Sequence, residues 1–314
     1  MYRVKVHEIP EGSRTARGMF AANLPGVVVS ADEKVNAVMD LKEYEGGKFL
    51  VFATKKGMVK RTPLTEYDSP RTGLAAINLK PGDELVEVLL TDGKGDLMLI
   101  SRGGLAARFS QAAARPMGRA TAGVIGMRLR DGDEVLAMVD ATTGEDLITV
   151  TENGFGKRTA IEQYPRKGRP TRGVVVHKLT KRTGGLSGAF VGKKDQDMFV
   201  ISSSGIVIRV QPSQIRRVGR ASQGVRTMRV EEGARVVALA PVVMQAQAEE
   251  AAPADASSGV DDDLEPVVAK KATAKKATTA KKAVAKKSTA KRAAAPKRAG
   301  SGGTGRTTPR RRRS

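Results

Sequence analysis

Three loops carry arginine inside one glycine frame, G-R-x-x-x-G: GRATAG (Gly118–Gly123), GRPTRG (Gly168–Gly173) and GRASQG (Gly219–Gly224). A guanidinium stays charged at any physiological pH, and its planar fork of donors matches phosphate or carboxylate oxygens. Further bases surround the frames. Arg115 accompanies Arg119, and Arg216 and Arg217 accompany Arg220. Arg166, Lys167, Arg169 and Arg172 form the densest group, with no acid between Pro165 and Val176. Near the N-terminus SRTARG (Ser13–Gly18) adds Arg14 and Arg17. Groups that could break a covalent bond are scarce. There is no cysteine, and His7 and His177 are the only histidines, too few for a relay or a metal centre. SGAFVGKK (Ser187–Lys194) lacks the first glycine and the closing Ser or Thr of a phosphate-cradling loop. Asp83, Glu84, Asp133 and Glu134 recur at one kind of turn, which suits turn chemistry better than a paired acid and base. We expect no catalytic residue and no metal site.

The elements that carry these loops repeat. ATKKGMVKRT, ISRGGLAARF, VTENGFGKRT and ISSSGIVIRV each combine an apolar run, a turn, a glycine and an arginine four residues later. The glycines are Gly57, Gly104, Gly154 and Gly205, and the arginines Arg61, Arg108, Arg158 and Arg209. From each of the last three arginines the G-R frame begins ten residues on. Each unit reads as four short strands, in the second unit Asp96–Ser101, Leu105–Phe109, Gly123–Leu129 and Glu134–Val139, with a hairpin turn of the Asn-Gly kind in the third. Repeats of this length made of four strands predict an all-β, propeller-like pinwheel: four complete four-stranded blades plus a partial N-terminal one. Arg3 stands ten residues before SRTARG, so the chain is expected to begin inside a blade, as a fragment or from a misplaced start. The arginines at 61, 108, 158 and 209 are expected to make structural contacts between blades, whereas the loop bases would line one rim.

The net charge is +22. Setting aside 17 cations from Val267 onward and seven acids in Glu249–Glu265 still leaves +12 on the body. Such a body implies a polyanionic partner, with duplex nucleic acid the commonest. Aromatic residues make up only 4%, which argues against base stacking and for contacts that follow a duplex backbone. Composition divides the chain into a pinwheel (1–243), an acidic linker (244–269) and a disordered Lys/Ala/Arg-rich tail (270–314). Basic pairs such as Lys270, Lys271 and Lys275, Lys276 would bind DNA by releasing counterions. No signal core or membrane-length run is present, so we expect a cytoplasmic, nucleoid-associated protein with no membrane and no small-molecule substrate.

RTARG, RPMGRATAGV, GKRTAIEQYP and VGRASQGVR resemble the C-terminal domain of the A subunits of bacterial type IIA topoisomerases, DNA gyrase and topoisomerase IV, especially the actinobacterial members. The resemblance covers Met1 to Val243. It implies a β-pinwheel, six-bladed in the family, that wraps duplex DNA and serves an ATP-dependent enzyme. The catalytic core and B subunit would be partners, and ATP and magnesium would belong only to that parent enzyme. RKGRPTRG (Arg166–Gly173) is the nearest match to the family's gyrase A box, without its glutamine and Gly-Gly pair. Tyr2, Tyr44, Tyr67 and Tyr164 lack the Arg-Tyr pairing of the cleaving tyrosine and read as structural. A free-standing nucleoid-type DNA-binding protein and a propeller for protein partners are the alternatives.

Overall fold

The computed structural model describes residues 1–242 apart from 14, 31, 32, 34, 45 and 72. The acidic segment 244–269 and Lys270, Lys271, Lys275 and Lys276 lie outside the described residues, as does Arg14. The body is all-β, with 3-10 turns as the only helical elements among the described residues.

Four units follow one another. The first contributes β1 (Phe49–Thr54), β2 (Met58–Pro63) and β3 (Leu85–Thr91). The second contributes β4 (Asp96–Ser101), β5 (Leu105–Ser110), β6 (Val124–Ile125) and β7 (Val135–Asp140). The third has β8 (Asp146–Thr151), β9 (Phe155–Ala160), β10 (Val174–Val175) and β11 (Leu186–Gly192). The fourth has β12 (Met198–Ser202), β13 (Val207–Val210), β14 (Val225–Arg226) and β15 (Val236–Pro241). The first, second and last strands of a unit pair antiparallel, as the sequence suggests.

The short third strand departs from that reading. β6 pairs with β2, β10 with β5 and β14 with β9, so each unit lends its third strand to the sheet before it. The sheets therefore run β3-β1-β2-β6, β10-β5-β4-β7, β11-β8-β9-β14 and β13-β12-β15, three with four strands and the last with three. The swap covers an outer strand edge that would otherwise carry bare N–H and C=O groups. It needs glycine at the crossing. Gly123 has φ +85°, and a Cβ there would stand 2.6 Å from the Val59 carbonyl oxygen. Met1–Arg3 follows the same rule: Tyr2 bridges to Gly73, and the Leu74 N–H donates to the Met1 carbonyl.

β3, β7, β11 and β15 neighbour one another along the inner edge, leaving the swapped strands outermost. Apolar cores fill the spaces between sheets. In β4, Leu97 and Leu99 face the first sheet's Val51, Ala53 and Val59, while Met98 and Ile100 face the third sheet's Leu147 and Leu186. A central strand is thus buried on both faces, which is why it reads as a continuous apolar run.

Candidate nucleic-acid interface

Each outer loop leaves the second strand of its own unit and crosses to the second strand of the preceding sheet. At that point the paired sheets share a clasp. Asp96, the first residue of β4, accepts from Arg108 Nε of its own unit (2.9 Å) and pairs with Arg166 Nη2 of the next (2.7 Å). Asp146, at the head of β8, holds Arg158 (3.0 Å) and Arg217 (2.7 Å) in the same way. Arg108 also donates to the carbonyls of Ile161 and Tyr164, and Arg158 to that of Ile215. The four repeated arginines thus act as struts, three of them against carboxylates: Arg209 pairs with Asp197. In the first sheet the chemistry changes. Phe49 occupies the aspartate's position, Arg61 stacks 4.6 Å from its ring centroid, and Pro116 bridges to Arg61 where Arg166 and Arg217 bridge elsewhere.

The loop cations divide into two groups. Arg166 and Arg217 are tied to aspartates, and Arg169 is turned onto the backbone. Its guanidinium donates to the Ala113 carbonyl (2.8 Å from Nε) and the Ile125 carbonyl (3.1 Å), and burial lowers its pKa. Arg17, Arg115, Lys167, Arg172 and Arg216 are exposed, and Arg119 and Arg220 half-exposed. Among the described residues none of these seven side chains makes a hydrogen bond or ion pair. Arg115 and Arg216 stand at equivalent positions, as do Arg119 and Arg220, whereas Lys167 and Arg172 have no cationic counterpart on the other two frames; the six from Arg115 onward lie on the loops that lead to the swapped strands.

Two residues absent from the sequence reading hold these loops from below. Lys60 and Lys157 sit on β2 and β9, one position before the strut arginine, and both are fully buried. Lys157 Nζ donates to the carbonyls of Gly219 (2.8 Å) and Arg220 (2.5 Å). Lys60 Nζ donates to the carbonyls of Ala76 (2.7 Å) and Arg119. Burial lowers Lys60 to about 8; burial and then the Arg220 charge lower Lys157 to about 7. A signal existed: the four repeats carry Lys60, Ala107, Lys157 and Ile208 at this position, and small or apolar residues in two of them mark it as interior.

Other candidates resolve into structure. Asp83 accepts from the Thr54 hydroxyl (2.7 Å) and the Lys56 N–H (2.9 Å), and Asp133 from the Gly103 N–H (2.8 Å), all at turns. Tyr67 and Tyr164 are buried, and burial pushes the Tyr164 hydroxyl up to about 12. Ser187–Gly192 lies within β11, a strand. Among the described residues no three His, Cys, Asp or Glu side chains cluster as metal ligands, and no helix is long and apolar enough to cross a membrane.

Strand-swapped four-stranded sheets arranged around an inner edge, with uncommitted cations on the outer loops, define a β-pinwheel with a basic rim. The chain belongs to the DNA gyrase C-terminal domain, beta-propeller, family, which matches it in five successive stretches: residues 1–39, 48–92, 95–140, 145–193 and 196–242. It is 39% identical over 243 residues to the DNA gyrase A subunit of Mycolicibacterium smegmatis, covering 76% of this chain and 29% of that relative. To the corresponding gyrase polypeptide of Clostridium acetobutylicum it is 42% identical, over 77% of this chain and 29% of the relative. The chain thus spans under a third of the length of these relatives. Among solved structures it is similar to the C-terminal domain of DNA topoisomerase IV (TM-score 0.70, 29% identity, 76% of this chain and 74% of the other). A DNA gyrase A C-terminal domain shares the fold, with TM-score 0.63 over 68% of this chain and 72% of the other, at 21% identity.

Proposed function

We propose that the chain binds duplex DNA along its outer rim and bends it, as the DNA-wrapping C-terminal part of a type IIA topoisomerase A subunit in the bacterial cytoplasm. The observation that carries this reading is the set Arg115, Arg119, Lys167, Arg172, Arg216 and Arg220, two on each of three successive loops and engaged by no carboxylate. Cations held at intervals on a curved scaffold suit phosphates, and such contacts position a duplex without reading its sequence. The chain contributes no chemistry to strand passage in this reading; the catalytic core, the B subunit, ATP and magnesium belong to the rest of the enzyme.

The test is fluorescence anisotropy of a labelled duplex of about 40 bp with the full chain, across a salt series. Replacing Arg115, Arg119, Arg216 and Arg220 together by Ala should flatten the slope of log K against log salt by about 3 to 4, at ~0.9 per lost phosphate contact. An unchanged slope, with the fold intact by circular dichroism, would remove the rim from the binding site. Energy transfer between the ends of a longer duplex should rise on binding, reporting the bend.

A further inference from the structure

Two of the three loop frames rest on a buried lysine, and the third does not. Under GRATAG lies Lys60, and under GRASQG lies Lys157, each with its ammonium against the carbonyl of the frame's arginine. Under GRPTRG the equivalent residue is Ala107, buried and unable to donate. There the frame's arginine makes the anchoring bonds itself, to the carbonyls of Ala113 and Ile125. The two arrangements exclude one another: where a lysine supports the loop, Arg119 or Arg220 has no partner, and where it is missing, Arg169 is consumed.

We propose that Lys60 and Lys157 are positioning residues, which draw loop carbonyls onto a buried ammonium and so fix Arg119 and Arg220 where they meet DNA phosphates. This rests on the DNA-binding reading above. An ammonium shut away from water without a carboxylate is costly unless carbonyl oxygens replace its hydration. Gly219 and Arg220, or Ala76 and Arg119, supply those oxygens, and charge-assisted bonds of this kind are about twice as strong as neutral ones. The backbone of the loop is thereby held while its arginine side chain stays available. Pre-positioning of this kind raises affinity by removing an ordering cost from binding.

The surroundings make the anchor sensitive to proton concentration. Arg220 and His177 are the ionisable groups that act on Lys157, whereas burial alone acts on Lys60, whose neighbour Tyr67 donates to the same Ala76 carbonyl. Desolvation first, and then the Arg220 charge, bring Lys157 to about 7, so it passes from ammonium to amine in the neutral range. A phosphate bound at Arg220 would offset that neighbouring charge and return the proton.

Hydrogen–deuterium exchange and duplex binding on the full chain test the proposal together. Lys157→Met should speed exchange in residues 219–224 at least tenfold while changing 168–173 less than twofold, and Lys60→Met should do the same for 118–123. Affinity for a 40-bp duplex should fall three- to tenfold in each variant, with little change in salt slope because the cations remain. Uniformly faster exchange across all sheets, or none in the loop concerned, would overturn the anchoring role. Selective loop exchange with unchanged affinity would overturn its part in binding. Should the wild type itself fail to bind duplex while loop exchange responds, the DNA reading falls and the anchor stands. Wild-type protein provides a check that needs no variant. With intrinsic exchange rates divided out, protection of 219–224 relative to 168–173 should drop at least threefold as pH rises through about 7, and constant relative protection would overturn the sensitivity to protons while leaving the variants to decide the anchor.

Discussion

Loop 168–173 and loop 219–224 follow the same strut arginine at the same distance and cross to equivalent strands, yet their arginines serve different ends. In the first, Arg166 is held by Asp96 and Arg169 by two carbonyls, so only Lys167 and Arg172 of the densest basic cluster in the body remain uncommitted. In the second, Lys157 bonds to the loop's carbonyls, Arg217 is held by Asp146, and Arg216 and Arg220 remain uncommitted. Cation density in sequence therefore does not measure cation availability. A guanidinium already satisfied by protein oxygens must exchange those bonds for phosphate, and the net gain is small.

The largest effect expected from disturbing this arrangement is at the clasp beneath the second loop. Asp146 is 3% exposed and faces two arginines. Asp146→Ala should cost about 3 kcal/mol in chemical denaturation, the order found when one partner of a buried ion pair is removed. Asp197→Ala should cost under about 1 kcal/mol, because Arg209 is 58% exposed and water can replace the carboxylate. Equal losses would mean that the clasps contribute alike and the distinction by burial is wrong.

Next in size is a pH effect confined to the second loop. His177 is buried, which keeps the ring neutral near pH 7; its Nε2 donates to the Gln223 carbonyl (2.8 Å), and Nδ1 of the neutral ring accepts from the Thr149 hydroxyl (3.1 Å). Burial first, with the Lys157 charge adding, lowers its pKa to about 4 from 6.5. The folded state thus binds fewer protons than the unfolded chain between those values. Stability from this group is complete above about pH 6.5 and falls toward pH 4, by roughly 3 kcal/mol. Denaturation midpoints in wild type and His177→Gln should separate in that window, with the variant losing less on acidification.

Most of the scaffold could be read before any coordinates, and the reason is local. The strands Asp96–Ser101 and Leu105–Ser110 carry an apolar run, a glycine turn and a second run, information held within about fifteen residues. The swap of the third strand could not be read this way. A two-residue ladder such as Val124–Ile125 has no periodicity, and nothing within the segment says which sheet it joins. The site divides along the same line. Arginine-bearing loops announce themselves by composition, but Arg166 and its Asp96 are 70 positions apart, and Arg217 and Asp146 are 71 apart. Lys157 escapes because a lysine in a strand usually marks the solvent face; only its alignment with Ala107 and Ile208 betrays an interior position.

The contrast between the loops can be tested directly with one substitution in each. Arg220→Ala should weaken duplex binding three- to tenfold and flatten the salt slope by ~0.9, with stability shifted by under about 0.5 kcal/mol. Arg169→Ala should leave the slope unchanged and lower stability by about 1 kcal/mol, the usual worth of backbone hydrogen bonds to one side chain. The reverse pattern would show that Arg169 leaves its carbonyls for DNA and that Arg220 does not reach a phosphate.

The most local effect concerns the sheet that receives no crossing strand among the described residues. β9 is covered by β14, and Gly224 there rests against the Gly156 carbonyl. β13 holds the equivalent place in the last sheet, and Val207 stands 54% exposed where its counterparts Val59, Ala106 and Gly156 face a swapped strand. Outward amides of β13 lack the ladder that protects those of β9, so they should exchange by local opening rather than with the sheet as a whole. Protection factors for Val207–Val210 should fall about tenfold or more below those for Phe155–Gly156. Comparable protection would require some other part of the full chain to lie along β13, and the loop-and-strand crossing would then recur in all four sheets.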